Sequence, residues 1–258
     1  MKKNSSEILS KKLVNAFLKN KIISPLPIKF TKHLINADKF RKLCESKIKD
    51  PVIGFKAGGT GIPLLKKLRE KEPFYASVFK RNFLKNGKPV KINKSTLGIE
   101  LEVFYLIKKE FFNFKKVITQ NNISKFISHI GPCIEVVGYR QRKKGIKSFG
   151  DLSSDFGGNV KFIMGKMRKY KKNNVKNLKT EIKNTKINQK VSGNTNTVFI
   201  NPQNSLRFVL NKILKDKINL KKNFYVFTGS TVGVVPINGK GLYIGQIEKL
   251  GSVKTIIK

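Results

Sequence analysis

Three glutamates carry the chemistry suggested by this sequence. Glu100 and Glu102 lie in the run Thr96-Leu-Gly-Ile-Glu-Leu-Glu-Val-Phe-Tyr-Leu-Ile107, and Glu135 lies in Pro132-Cys-Ile-Glu-Val-Val137. The chain has 15 Asp plus Glu against 55 Lys plus Arg, so acids are scarce and three inside apolar segments need a reason. In a strand, successive side chains alternate faces, which puts Glu100 and Glu102 on one face with Phe104 and Leu106. Ile99, Leu101, Val103 and Tyr105 then line the other face. Unpaired carboxylates in such positions are costly or stay protonated. A divalent cation bound by all three removes that cost, and hard oxygen donors on strands suit Mg²⁺ or Mn²⁺. The plainer alternative is a set of salt-bridged or edge-strand glutamates in a basic protein.

The elements that must position these acids follow from periodicity. Ile8, Leu9, Leu13, Val14, Phe17 and Leu18 predict an amphipathic helix over 5–20, capped by Ser5 or Ser6, and a second helix follows at about 34–48. This basic N-terminal stretch reads as a structural cap rather than a targeting peptide, because it runs without a small-residue cleavage signal into Ile22-Ile-Ser-Pro-Leu-Pro27. From Asp50 the character changes. Pro51–Thr60 reads as a buried strand ending in a glycine-rich turn, and no Gly-Lys-Ser/Thr follows to make a P-loop. Lys56 stands just before that turn and, on sequence alone, is one exposed lysine among many.

Beyond it we expect a helix over 61–72 and a strand pair around Asn86-Gly87 within 74–92. The acid-bearing strand 96–107 comes next, then a helix within 113–130 and a strand over 132–138. Asp151–Asn159 reads as a loop leading into the strand Val160–Gly165, and Lys166–Lys190 as a solvated hairpin or loop. Asn201-Pro202 opens a helix, and short strands with turns close the chain. This order lacks the βαβ alternation of a doubly wound fold. It divides the chain into a helical cap at 1–49 and a larger α+β domain at 50–258.

Composition sets outer limits. No run of 18 apolar residues is present, so a membrane span is not expected. Cys44 and Cys133 lack C-x-x-C spacing and fit buried free thiols in a reducing, cytoplasmic setting. The formal net charge of +40 invites a nucleic-acid reading. Only seven of the 55 basic residues are Arg, the residue suited to bidentate phosphate and base contacts, and the lysines are spread along the whole chain. The charge therefore predicts non-specific, salt-sensitive attraction to polyanions such as RNA and steering of anionic substrates.

Taken in order, several segments resemble the fumarylacetoacetate hydrolase superfamily, in particular its 2-keto-4-pentenoate hydratase branch. They are Val52-Ile-Gly-Phe-Lys-Ala-Gly58, Glu72-Pro-Phe-Tyr-Ala-Ser-Val-Phe79, Gly98-Ile-Glu-Leu-Glu-Val-Phe104 and Gly131-Pro-Cys-Ile-Glu-Val-Val137 with Arg140. Asp155-Phe-Gly-Gly-Asn159, Asn201–Leu206, Phe227-Thr-Gly-Ser230 and Leu250-Gly-Ser-Val253 complete the series. The resemblance implies a mixed β-roll core with an N-terminal helical cap and a homo-oligomer. It implies Mg²⁺ or Mn²⁺ held at Glu100, Glu102 and Glu135, with Lys56 in the active site. Gly54 and Gly58 would allow close backbone approach, and Asp155, Asn159, Thr228 and Ser230 match substrate-pocket segments. The implied reaction adds water to a 2-hydroxydienoate, giving a 4-hydroxy-2-oxo acid from a small anionic 2-oxo acid substrate. Decarboxylation of a 2-oxo-3-enedioate, hydrolysis of an acylpyruvate, or an inactive homologue binding RNA are the alternatives. Lys80, Arg81, Gly138 and Phe156 depart from the branch pattern near its water-activating and substrate-orienting groups, and leave the acidic triad intact.

Overall fold

The computed structural model describes residues 2–172 and 174–258. Helices α1 (Lys2–Lys19) and α2 (Leu34–Glu45) open the chain, followed by β1 (Val52–Gly58), α3 (Ile62–Leu68) and β2 (Phe74–Phe79). Next come β3 (Phe83–Lys85), β4 (Pro89–Val90), β5 (Thr96–Ile107) and β6 (Ile127–Gly138). After α4 (Phe149–Ser154) follow β7 (Asn159–Met164), β8 (Arg168–Lys169), β9 (Lys179–Asn184) and β10 (Gln189–Asn194). Helix α5 (Pro202–Lys215) and strands β11 (Phe224–Ser230), β12 (Gly241–Ile247) and β13 (Gly251–Ile257) end it.

Two mixed sheets form the body. The larger runs β2-β1-β11-β5-β6-β7-β3, with β8 also on β6, and the smaller runs β10-β9-β12-β13-β4. β1 pairs with β11, β3 with β7 and β4 with β13 in parallel, and the remaining pairings are antiparallel. Strict alternation builds the core between them. Ile99, Leu101, Val103 and Tyr105 of β5 join Tyr243, Ile247, Val253 and Ile257 of the small sheet in one buried cluster. Gly245 allows the sheets this close, since a Cβ there would stand 2.6 Å from Leu101 Cδ1. The other face of β5 carries Glu100 and Glu102 and is the concave face of the large sheet. This α+β architecture agrees with the sequence expectation.

Leu13, Val14 and Phe17 of α1 pack with Phe40 and Cys44 of α2, and with Phe79 and Phe156 from the body. α2 also covers β2, the edge of the large sheet. Glu45 accepts from the Ser77 main-chain N–H at 3.1 Å and from its hydroxyl at 2.9 Å, occupying a ladder position that an exposed edge would leave open. The same carboxylate holds the fully buried guanidinium of Arg41 at 2.7 Å.

Several expectations need correcting. Residues 113–130 form no α-helix. Short 3-10 turns at Lys109–Asn113 and Ile123–Phe126 lead directly into β6, which starts five residues earlier than expected. The β-branched residues Val117, Ile118, Thr119 and Ile123, interrupted by Asn121-Asn122, suit turns and a strand better than a helix. The turn at Asn86-Gly87 exists, with Gly87 at φ +79°, but joins no hairpin. It docks on β13 through Lys254 and sends β3 and β4 to different sheets. Asp151 lies not in a loop but in α4, where Ser148 and Asp151 form a reciprocal cap. Helix α1 begins at Lys2, so Ser5 and Ser6 are inside it rather than capping it. The Lys166–Lys190 stretch contains β8 and contributes to the β9–β10 hairpin, which continues to Asn194.

Glu45→Ala should lower stability by about 2–4 kcal/mol, because it removes the nearer of two carboxylates from a buried guanidinium and leaves a sheet-edge N–H unpaired. Urea unfolding monitored by circular dichroism checks this. A loss below about 0.5 kcal/mol would show that the cap does not depend on this anchor.

Candidate metal centre

β5 and β6 run antiparallel with Glu100 opposite Glu135, so two of the three acids are cross-strand neighbours. Glu102 follows two residues along β5 on the same face. One carboxylate oxygen from each of the three lies within 4.8 Å of the others. Glu102 and Glu135 are fully buried, and Glu100 is partly open to the cavity above. Their floor is the buried apolar set Phe104, Cys133, Phe162 and Phe227, which offers no polar group to solvate charge.

Lys56 reaches this cluster from β1. In the order β1-β11-β5-β6, three interstrand spacings of about 4.8 Å separate the backbone of Lys56 from that of Glu135. The curl of the sheet and the length of the lysine side chain close the gap. Lys56 Nζ donates to both oxygens of Glu135, at 2.6 and 2.8 Å. Gly157, at φ +67°, brings the 156–158 turn against the lysine stem, where a Cβ would stand 3.5 Å from Lys56 Cδ. Lys56 is only 3% exposed, so the exposed-lysine expectation from local sequence does not hold.

Three carboxylates share one ammonium. Burial pushes all three carboxyls above their ordinary range, against the pull of Lys56, with Glu102 pushed up to about 7. Burial also works against the Lys56 ammonium, but Glu135, Glu100 and Glu102 together outweigh it and hold its pKa above the ordinary lysine value. Glu102 Oε2 accepts from the Gly229 N–H at 3.0 Å, whereas its buried Oε1 has no hydrogen-bond partner. An orphaned buried carboxylate oxygen facing two further carboxylates is the donor set a hard divalent cation requires. The residues present therefore fit Mg²⁺ or Mn²⁺.

Above the acids lies a cavity of about 650 Å³ lined by Lys56, Gly58, Glu100, Gly157, Gly158 and Ser230, among others. Of the residues expected to form a substrate pocket, Gly58 and Ser230 line this cavity. The other four expected pocket residues are placed behind this wall. Gly54 faces the Tyr225 carbonyl on β11, where a Cβ would approach to 2.3 Å. Thr228 donates its hydroxyl to the Val103 carbonyl at 2.8 Å. Asn159 donates to the Ser77 carbonyl at 2.9 Å. Asp155 is paired with Arg140 at 2.8 Å, and that guanidinium stacks 4.8 Å from Phe17. This buried pair anchors the turn bearing Gly157, so Asp155 acts on the pocket through backbone placement.

Leu97, Ile146, Leu152 and Val234 also line the cavity and were not anticipated; they come from four separate segments with no shared period. Of the positions that depart from the branch pattern, Gly138 lines the cavity, whereas Lys80 and Arg81 lie in a turn after β2 and are exposed. Phe156 packs 4.3 Å from Phe17 at φ +54°.

No family model and no curated protein matches this sequence. Solved structures do. A 4-oxalocrotonate decarboxylase from Pseudomonas putida G7, complexed with magnesium and adipate, superimposes with a TM-score of 0.83 at 18% identity, covering 100% of this chain and 99% of that one. The two chains share one fold. The same decarboxylase with calcium and acetate gives a TM-score of 0.81 at 18% identity, over 100% and 99% of the two chains. A protein described as of the fumarylacetoacetate hydrolase family, from Yersinia pestis CO92, gives 0.55 at 14% identity, over 82% of this chain and 95% of that one. The fumarylacetoacetate hydrolase type of fold expected from the sequence is thus present.

A carboxyl whose folded pKa is raised binds its proton more tightly folded than unfolded, so the metal-free protein loses stability as pH climbs from about 4.5 to about 7 through Glu102. Divalent cations need the ionised form and offset that loss. Added Mg²⁺ should therefore raise the melting temperature more at about pH 8 than at about pH 5.5. Differential scanning calorimetry of the metal-free and Mg²⁺-loaded chain reads this directly. No shift at either pH would remove the metal assignment.

Proposed function

We propose that this chain is a divalent-metal-dependent enzyme of the fumarylacetoacetate hydrolase superfamily that hydrates a 2-hydroxydienoic acid to a 4-hydroxy-2-oxo acid. The observation that carries this reading is the buried triad Glu100, Glu102 and Glu135 with one partnerless oxygen, opening into a cavity beside Lys56. Lewis-acid stabilisation of the enolate charge on a 2-oxo acid is the chemistry a divalent cation supplies when held by these three carboxylates.

The rest of the work falls to the chain. Lys56 and Glu100 are the titratable side chains lining the cavity among the described residues. Lys56 Nζ offers the positive charge that a substrate carboxylate needs. The carboxylates that hold its proton are the same ones that would hold a cation, so Lys56 stands beside both the acids and the cavity. Ketonisation moves the C2 hydroxyl proton to the far end of the dienol. Water then forms its bond at C4 while C3 receives the proton. In this reading Lys56 Nζ holds and returns those protons, and Glu100, which lines the cavity, orients the water. The apolar floor under the triad keeps solvent from the back of the acids.

A second reading has its own support. The solved structure with a TM-score of 0.83 is a decarboxylase, and loss of CO₂ from a 2-oxo-3-enedioate uses the same enolate stabilisation. The two reactions differ in the group they need at the far end of the substrate.

Purified protein with Mg²⁺ should consume 2-hydroxypenta-2,4-dienoate, followed by its ultraviolet absorbance. Glu135→Gln and Lys56→Met should each reduce kcat/KM by about 100-fold or more. Turnover that survives both EDTA and Glu135→Gln would overturn the metal-dependent reading. CO₂ release from 2-oxohex-3-enedioate without hydration would move the assignment to the decarboxylase.

A further inference from the structure

Lysines mark the end of the large sheet that lies away from the cavity. Gly58 and Ser230, which line the cavity, end β1 and β11, and Leu97 stands near the start of β5. Segments 108–110, 124–126, 168–170 and 221–223 meet at the opposite end of these strands. They hold seven basic residues and one acid, Glu110. About 16 Å of strand separate Glu102 from the end of β5 at Ile107, so this surface is distinct from the metal centre.

Strand register orders the lysines. Ile107 stands opposite Phe224 on one side and Ile127 on the other, and Lys169 stands opposite His129. Lys222, Lys109, Lys125 and Lys169 therefore come one per strand along β11-β5-β6-β8, a row about 14 Å long at about 4.8 Å per step. The backbone beneath them is pinned. The Lys109 N–H donates to Asn223 Oδ1 at 2.9 Å, and the Tyr170 N–H to the Ser128 carbonyl at 3.0 Å. All four lysines are exposed, and among the described residues neither they nor Glu110 form an ion pair. Asp50, just before β1, accepts from the Arg81 N–H at 2.7 Å.

Cations fixed in a line suit a ligand whose negative charge repeats, as the phosphates of a nucleic-acid strand do. Arg168, adjacent to Lys169, donates to the Lys249 carbonyl at 3.0 Å, so it offers no open fork to read base edges. The four segments expose no large apolar side chain for a membrane to take up. We propose that this sheet end binds the phosphate backbone of a single-stranded nucleic acid without reading its sequence, independently of the metal centre. The field of a chain with net charge +40 draws polyanions from every side, whereas the row assigns binding to one side.

Fluorescence anisotropy of the full chain with labelled oligouridylate and oligothymidylate of equal length tests this. Both should bind with a Kd of about 1–100 μM near physiological salt. Combining Lys109→Gln, Lys125→Gln, Lys169→Gln and Lys222→Gln should weaken both by at least about tenfold. It should also flatten the slope of log K against log salt by about 3, at about 0.7 per lost contact. The charge-matched control combines Lys11→Gln, Lys12→Gln, Lys32→Gln and Lys39→Gln on the exposed face of the helical cap. It should weaken binding by less than about threefold, with melting temperatures unchanged in both variants. Equal weakening by the two variants would mean a diffuse field and overturn the assignment. A preference above about tenfold for either oligonucleotide would overturn the backbone-only contact. Sedimentation with phosphatidylcholine–phosphatidylserine vesicles that the row variant loses, while it keeps oligonucleotide binding, would make this a membrane face instead.

Discussion

Three carboxylates buried against a single ammonium form the constraint around which the rest of this structure is arranged. Charge of one sign does not stay in an apolar sheet unless something compensates it. Lys56 compensates one carboxylate at 2.6 Å, the Gly229 N–H assists a second, and an oxygen of Glu102 is left without a partner. Burial, with that residual imbalance, raises all three carboxyl pKa values in the bare chain. The imbalance explains why a cation, rather than a further lysine, fits the remaining space.

That constraint reaches outward through the backbone. Bringing Lys56 on β1 to Glu135 on β6 takes a curled sheet, and the curl is held on its convex side by the small sheet packed over Leu101 and Val103. The lysine stem is confined by the turn at Gly157. That turn is anchored by the Asp155–Arg140 pair, whose guanidinium lies against Phe17 of α1. The N-terminal helices are thus coupled to the metal end of the cavity through one buried ion pair. Their own attachment runs through Glu45 and Arg41 at the sheet edge.

Some of this was legible in the sequence and some was not, for definable reasons. Period-two alternation along 96–107 placed Glu100 and Glu102 on one face, because strand geometry leaves no other choice. The partnership of Glu135 depends on strand register, which only the paired β5 and β6 reveal. The burial of Lys56 could not be read locally, since a lysine between Phe55 and Ala57 looks like any other among so many. The helix expected within 113–130 is absent because its β-branched and Asn residues favour turns and strand. The cavity wall was invisible, because Leu97, Ile146, Leu152 and Val234 converge only through the fold.

The charge of +40 acquires a different meaning beside this geometry. Several of the few acids occupy structural positions: Asp38 and Glu45 on Arg41, Asp155 on Arg140, Asp151 on Lys144, and the triad itself. The lysines are mostly outside, where they raise the potential around the molecule and draw anions toward it. That field grows with ligand charge, so by itself it would favour a dianion over a monoanion. It is also screened over about 8–10 Å at ordinary salt, whereas the cavity wall acts at contact. Any selection among anions that have arrived is therefore short-ranged, set by what the cavity wall offers in place of water. A strongly basic surface and an apolar pocket wall act on different steps, the first on arrival and the second on residence.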